Sequence, residues 1–490
     1  MKNLLVFISV MQLFLAEKTF AQQQKPNILF IAIDYMNDWT GFLGGHPDAL
    51  TPNMDRLAKK GTNFKNAHAS APGCSPSRNA LLYGIQPFNS GLYPFYDHDI
   101  HEYLMEKYTS LPRLLKENGY LTFGAGKIHH GTLKDKREWS DYLNTTKNNK
   151  IFRSNEGYLK GKNKKYSFRP TVNPDAEHID YQVASYGIEK LNEKHDSPFF
   201  LAIGIIKPHL PFDAPARFFD ALPKSIALPN INENDYDDIP KVGKSLAKKG
   251  EFNHYRTKGV WNEVRRAYLA CISWADYNIG RVLNALESSE YADNTIVVLW
   301  SDHGYHLGEK KTFKKFTLWE EATKVPFIIY DARKKGESTS INFTESVSLI
   351  NIYKTIAEYT GIKTPNYVDG ESLVPIVNGT SMKLNEPTII SWGRGNYSIK
   401  TKNYRFIRYF DGGEELYNHE NDPDEWVNLS NDNDYTDLKS KLNKYLPKKE
   451  TPMFTEHVNF WSIEGADKST YRDNNPKSGL NKKNRKPQKK

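Results

Sequence analysis

Cys74 stands between Pro72 and Pro76 in the run Cys74-Ser75-Pro76-Ser77-Arg78, with an arginine one helical turn beyond it. Four other places in the chain combine ionisable residues in a similarly dense way. They are Asp34, the trio Lys127, His129 and His130, the run Lys207-Pro208-His209, and Ser301-Asp302-His303-Gly304 followed by Lys314 and Lys315. Taken singly, such an Asp is a helix cap, such a Lys a solvated charge and such a His a turn residue. Together they offer carboxylates for a hard cation, cations for an anionic substrate, and imidazoles that exchange protons near neutrality.

What raises these residues above their ordinary readings is the element before each. Asn27 to Ile33 precedes Asp34, Tyr120 to Phe123 precedes the Lys127 group, Phe199 to Ile206 precedes Lys207, and Thr295 to Trp300 precedes Asp302. Continuous apolar runs of this kind suit strands buried on both faces, as in a parallel sheet covered by helices. Helical patterns fall between them at Met54–Lys60, Leu111–Asn118, Tyr181–Glu193 and Val264–Leu286. The alternation predicts an α/β fold, in which ligands sit beyond the carboxyl ends of the strands, so all four clusters should share one rim. From about residue 385 the pattern changes to short, partly alternating runs with Asp411-Gly412-Gly413 as a turn. This predicts a small antiparallel C-terminal subdomain closed by a helix near Leu438–Leu446.

Residues 1–21 read as a secretory signal peptide, with Lys2, an apolar stretch from Leu4 to Leu15 and cleavage near Ala21; the stretch is too short to anchor the chain in a bilayer. The expected divisions are a catalytic domain over 22–384, the C-terminal subdomain over 385–465 and a basic, disordered tail over 466–490. The formal charge is +9, but six Lys and Arg lie within residues 481–490, so a basic face for nucleic acid is not supported. Cys74 and Cys271 are the only cysteines, which rules out a disulfide scaffold. Cys271 lies in an apolar helical run and reads as a buried hydrophobe, although a bridge between the two stays open.

The stretch Cys74 to Arg78, with Asn79-Ala80-Leu81-Leu82-Tyr83-Gly84 after it, resembles the C-x-P-S-R signature of the formylglycine-dependent sulfatases, closest to their iduronate-2-sulfatase-like branch. Thr51-Pro52-Asn53-Met54-Asp55-Arg56-Leu57-Ala58, Gly126 to Gly131, Lys207 to Phe212 and Glu414 to Tyr417 resemble further segments of that family. The resemblance implies an alkaline-phosphatase-like sulfatase fold, a large mostly parallel sheet flanked by helices. It implies that Cys74 is oxidised to formylglycine by a formylglycine-generating maturation enzyme. It also implies a metal held by Asp34, residue 74, Asp302 and His303, with Ca²⁺ expected and Mg²⁺ as the alternative, and catalytic roles for Arg78, Lys127, His130, His209 and Lys315. By the family spacing His130 rather than His129 is the active-site histidine, and Lys315 the sulfate-binding lysine with Lys314 as competitor. The chemistry is physically coherent. A sulfate ester repels nucleophiles, so cations are needed, and an aldehyde hydrate carries one hydroxyl to attack sulfur and a second to expel sulfate.

Two positions depart from the family. Tyr35 stands where it has a second metal-binding Asp, leaving the site one negative charge short, and Tyr83 stands where Thr is usual before Gly84. The expected substrate is a sulfated polysaccharide or its oligosaccharides, ulvan ahead of carrageenan, in a periplasmic or secreted setting. His98 and Arg394 are expected to bind it, within a rim that includes Tyr93, Phe95, Tyr96 and Tyr397; the competing reading is that these aromatics simply join the two subdomains. Rival functions are a phosphomonoester or phosphonate hydrolase of the same superfold, and a non-catalytic glycan-binding protein.

Overall fold

The structure is a computed structural model and describes residues 25–97, 100–131, 135–143, 168–247, 249–334 and 340–474. The signal peptide, His98 and the end of the tail lie outside these residues.

Strand β1 (Asn27–Ile33) is buried along its whole length and shows why its sequence is a continuous apolar run. Leu29, Ile31 and Ile33 face one hydrophobic cluster, and Ile28, Phe30 and Ala32 face a second on the other side of the sheet. Each large side chain buried in this way contributes about 1.5–3 kcal/mol. Helices α1 (Pro52–Lys60), α4 (Ile179–Asn192) and α5 (Trp261–Ser288) cover the first face. Helices α2 (Cys74–Tyr83), α3 (Leu111–Glu117) and α6 (Asn351–Thr360) cover the second.

The central sheet has eight strands. With β2 (Thr62–Phe64), β3 (Leu121–Gly126), β4 (Asp141–Leu143), β5 (Phe199–Ile205), β6 (Thr295–Ser301), β7 (Phe327–Asp331) and β8 (Ile341–Phe343), its order is β8-β2-β7-β6-β1-β5-β3-β4. The five strands from β6 to β4 are mutually parallel. Strand β7 runs antiparallel to both its neighbours. The sheet is therefore mixed but mostly parallel, as the resemblance implies. Because β1, β3, β5 and β6 point the same way, Asp34, Lys127, the loop to His209 and Asp302 all emerge at one edge.

Two glycines let these strand ends approach. A Cβ on Gly126, whose φ is +78°, would lie 2.1 Å from the Gly204 carbonyl oxygen, and one on Gly204 would lie 2.4 Å from the Lys127 nitrogen. With neither present, the Lys127 N–H donates to the Gly204 carbonyl at 3.1 Å, which fixes where Lys127 leaves the sheet.

The small antiparallel sheet has the order β9 (Thr388–Ser391), β10 (Tyr397–Lys400), β11 (Tyr404–Arg408), β12 (Glu414–Asn418), and α7 (Thr436–Asn443) packs on it. Fully buried Arg405 joins it to the rest of the molecule, paired with Glu320 and with Glu425 at 2.5 Å and donating to the Leu318 carbonyl at 2.9 Å. One expectation needs correcting. Residues 466–474 are not a disordered tail: α8 (Asp467–Asn474) forms there, and Asp467 pairs with Arg394. Polar composition alone hid a helix whose start is held by a partner 73 residues earlier. Among the described residues no helix is long and apolar enough to cross a membrane.

Candidate active site

Cys74 is the first residue of α2, after Gly73, and Arg78 sits one turn on, so both lie on the same helix face. Residue 74 appears as an unmodified thiol, which stands in for the oxygen-bearing group that oxidation would create. The Lys315 ammonium lies 2.8 Å from its sulfur and the His303 Nε2 3.3 Å. Burial alone would raise the thiol pKa, but Lys127 and Lys315, with His303, outweigh it and hold the group well below the ordinary thiol range. Position 74 is thus built to carry negative charge.

Arg78 is fully buried and every direction of its guanidinium is used. Nε donates to Asp302 Oδ2 at 2.8 Å, and Nη1 to the carbonyls of Lys127 at 2.5 Å and Ile128 at 2.9 Å. Asp34 Oδ1 lies 3.7 Å from Nη2. One side chain therefore ties the ends of three sheet strands to the nucleophile helix. Lys127 bonds Asp34 Oδ2 at 2.5 Å.

Atoms of Asp34, Cys74, Asp302 and His303 lie within 4.8 Å of one another, and all four residues are buried. Asp34 Oδ1 is buried without a hydrogen-bond partner. Burial pushes the Asp34 carboxyl well up despite Lys127, whereas for Asp302 the charges of Arg78 and His303 overcome burial and hold it down. An orphaned carboxylate oxygen beside a second buried carboxylate fits a hard divalent cation, and residue 74 would add a third oxygen if oxidised.

Tyr35 sits directly beside that donor set. Its backbone takes φ +71°, a conformation costly for a bulky residue, by about 1–2 kcal/mol. It is held there by its N–H to Asp302 Oδ1 at 3.1 Å and by the Tyr268 hydroxyl on its carbonyl at 2.6 Å. The ring lies 3.6 Å beneath the Lys315 ammonium and 4.0 and 4.6 Å from the rings of His209 and His303. Tyr35→Asp is expected to tighten Ca²⁺ binding by about tenfold, since affinity follows ligand charge and Asp tolerates this backbone better than Tyr. Calorimetric titration of metal-stripped protein checks this; an unchanged affinity would show that position 35 cannot reach the ion.

The remaining residues separate into those that face residue 74 and those that do not. His130 lies near enough to the Cys74 thiol for that group to raise its proton affinity, whereas His129 is buried against Glu138, 2.9 Å away. Lys315 faces the thiol, whereas Lys314 pairs with Glu251. His209 bonds the Leu210 carbonyl through Nδ1 at 2.6 Å, and neighbouring Lys207 is spent on Asp213 and on the Pro211 carbonyl. Burial lowers the pKa of both His130 and His209; Lys127 adds to the effect at His209, while the Cys74 contact opposes it at His130. Cys271 and Cys74 are both free and buried, so no bridge joins them. Tyr83 is turned into the core, away from residue 74.

Residues 26–362 match the family model described as sulfatase. The chain belongs to the sulfatase family. A second model, the C-terminal region of N-sulphoglucosamine sulphohydrolase, matches residues 308–451 of this sulfatase, which includes the small sheet. It is 36% identical over 461 residues to a sulfatase of Formosa agariphila, covering 88% of this chain and 89% of that one. It is 27% identical to an ulvan-active sulfatase of the same organism, covering 88% and 83%. The phosphonate monoester hydrolase of Agrobacterium radiobacter shares the fold, with a TM-score of 0.68 at 19% identity over 86% of this chain and 94% of that one. Fold alone thus does not separate the two ester chemistries; the sequence family does, and this sulfatase is a sulfuric ester hydrolase.

Of the residues expected to touch substrate, His98 is outside the described residues. Arg394 is taken up by Asp467 at 2.7 Å, with Glu450 3.8 Å away. The expected aromatic rim is interior instead: Tyr93, Phe95, Tyr96 and Tyr397 are all buried. The Tyr93 and Tyr96 hydroxyls donate to the carbonyls of Thr451 and Phe454, so these rings join the returning C-terminal segment to the body. Sequence reading missed the ring of Tyr35 and passed over Trp461. The signal available for Trp461 was the adjacent aromatic pair Phe460-Trp461 late in the chain.

Proposed function

We propose that this sulfatase is exported and desulfates a sulfated polysaccharide or its oligosaccharides, using Cys74 converted to formylglycine. The observation that carries the reading is the thiol at position 74, enclosed by Lys315, Lys127 and His303 with buried carboxylates alongside. Oxidised and hydrated, residue 74 offers one oxygen for attack on sulfur and another for release of sulfate. Asp34, Asp302, His303 and residue 74 would hold a divalent cation, Ca²⁺ ahead of Mg²⁺, which would supply positive charge near that oxygen.

The chain's own groups do the rest. Arg78 fixes Asp302 and the Lys127 backbone, and so fixes the geometry around residue 74. Lys127 and Lys315 bind the sulfate oxygens and offset charge as the sulfur–oxygen bond breaks. His209 donates a proton to the departing sugar oxygen. Its low proton affinity comes from burial and from Lys127; the anionic sulfate offsets that lysine and restores a usable acid. His130, within reach of residue 74, accepts the proton of the second hydroxyl so that sulfate is expelled.

The similarity to an ulvan-active sulfatase supports ulvan over carrageenan as substrate. The test is a leaving-group comparison. His209→Ala is expected to cut turnover on ulvan oligosaccharides by about 10²–10⁴-fold, the usual worth of a general acid. Nitrophenyl sulfate, whose leaving group departs as an anion, should suffer much less. Equal loss on both substrates would move the acid role to His130, and faster release of phosphate than sulfate from the matching aryl esters would sink the sulfatase mechanism itself.

A further inference from the structure

Beside the reacting groups lies an aromatic path that none of the steps above uses. Phe95 packs edge-on against the His130 ring at 5.0 Å, and the Lys315 ammonium lies 5.5 Å from it. Phe316, the residue after Lys315, stacks on Trp392 at 4.8 Å and 14°. These three rings are close-packed, and Phe95 and Trp392 are buried. On their outer side lies Trp461, 5.0 Å from Phe95 and 5.9 Å from Phe316. It is 55% exposed. One ring, Phe95, separates it from both His130 and Lys315.

Isolated exposed hydrophobics need no explanation, but this indole is neither isolated nor loosely attached. Its segment is pinned to residues 95–97. The Asn459 N–H donates to the Phe95 carbonyl at 2.7 Å, the Phe95 N–H to the Ser462 hydroxyl at 2.9 Å, and the Asp97 N–H to the His457 carbonyl at 2.7 Å. A rigid, half-exposed aromatic face continuous with a reaction centre has lost little freedom that binding would have to remove. Such a face suits the C–H surface of a pyranose ring, apolar on one side and hydroxylated at its edge.

We propose that Trp461 is a stacking platform for the sugar unit next to the one that carries the scissile sulfate. This rests on the saccharide reading above and extends it, because it makes the site one that grips at least two sugar units. Lys315, Lys127 and His130 hold the sulfated unit, and Trp461 holds its neighbour. The contact is made equally in ground and transition states, so it should act on KM and leave kcat alone.

The test uses full-length, active enzyme with p-nitrophenyl sulfate and the most rapidly desulfated di- and tetrasaccharide among ulvan, carrageenan and chondroitin sulfate fragments. Trp461→Ala is expected to raise KM for the tetrasaccharide about tenfold, the equivalent of roughly 1.4 kcal/mol, with kcat unchanged. Kinetics on p-nitrophenyl sulfate should not change, and Trp461→Tyr should restore most of the lost affinity. Equal damage to both substrates would mean that Trp461 only supports the fold, and an unchanged tetrasaccharide KM would mean that no sugar stacks there; either result overturns the proposal. The wild-type arm reports separately on the saccharide reading: enzyme that cleaves the aryl ester but none of the saccharides would overturn that reading, and this one with it.

Discussion

Cys74→Ala protein is expected to lose turnover by about 10⁴–10⁶-fold while still binding sulfated substrate, and active wild-type protein is expected to carry an aldehyde at position 74. A plain thiol, even one with its pKa held down by Lys127 and Lys315, can attack sulfur but leaves no second hydroxyl to expel sulfate. Removal of the group that does both should therefore cost as much as loss of a nucleophile in other hydrolases. Binding should survive because Lys127, Lys315 and the other three metal-holding residues, Asp34, Asp302 and His303, are untouched. Mass spectrometry of the peptide spanning residues 73–78 reads the modification directly. Fully active protein containing only unmodified cysteine would refute the formylglycine mechanism.

The second large effect is at Arg78, which touches no expected substrate atom. Arg78→Lys keeps the charge but not the planar fork, and a lysine cannot bond Asp302, the Lys127 carbonyl and the Ile128 carbonyl together. The backbone that aims Lys127 is then released. Displacement of about 1 Å at such a centre costs near 10²-fold, and loss of one stabilising donor about 10²–10³-fold. A drop in kcat of about 10²–10³-fold is expected, together with weaker Ca²⁺ binding by calorimetry because Asp302 loses its orienting partner. If metal binding stays at the wild-type level while activity falls, Arg78 acts only through Lys127.

Much of this was legible in the sequence, for identifiable reasons. Strand β1 declares itself because both its faces are buried, so no polar residue interrupts the run. The choices of His130 over His129 and of Lys315 over Lys314 rest on the spacing of the resembling family motifs; the neighbouring residues are of the same type, so their own chemistry does not separate them. The antiparallel strand β7 gave no comparable signal, because direction within a sheet is not written in apolar content. Nor did the sequence reveal the positive φ of Tyr35, which depends on Asp302 and Tyr268 far along the chain. The rim was misjudged for the same reason. Whether Tyr93 and Tyr96 face solvent is decided by residues 451–458, which return to cover them from more than 350 positions away.

That returning segment also orders events in time. Cys74 is 1% exposed in the finished fold, so an enzyme that oxidises it must act on the chain before the fold closes. Residues 457–462 pack against residues 95–97 beside the site and lie far downstream of Cys74 in the chain. At about 5–20 residues per second, synthesis alone separates the two by roughly 20–80 s. Under the formylglycine proposal, conversion has to precede folding, and a cysteine left unconverted would stay shielded from the maturation enzyme afterwards.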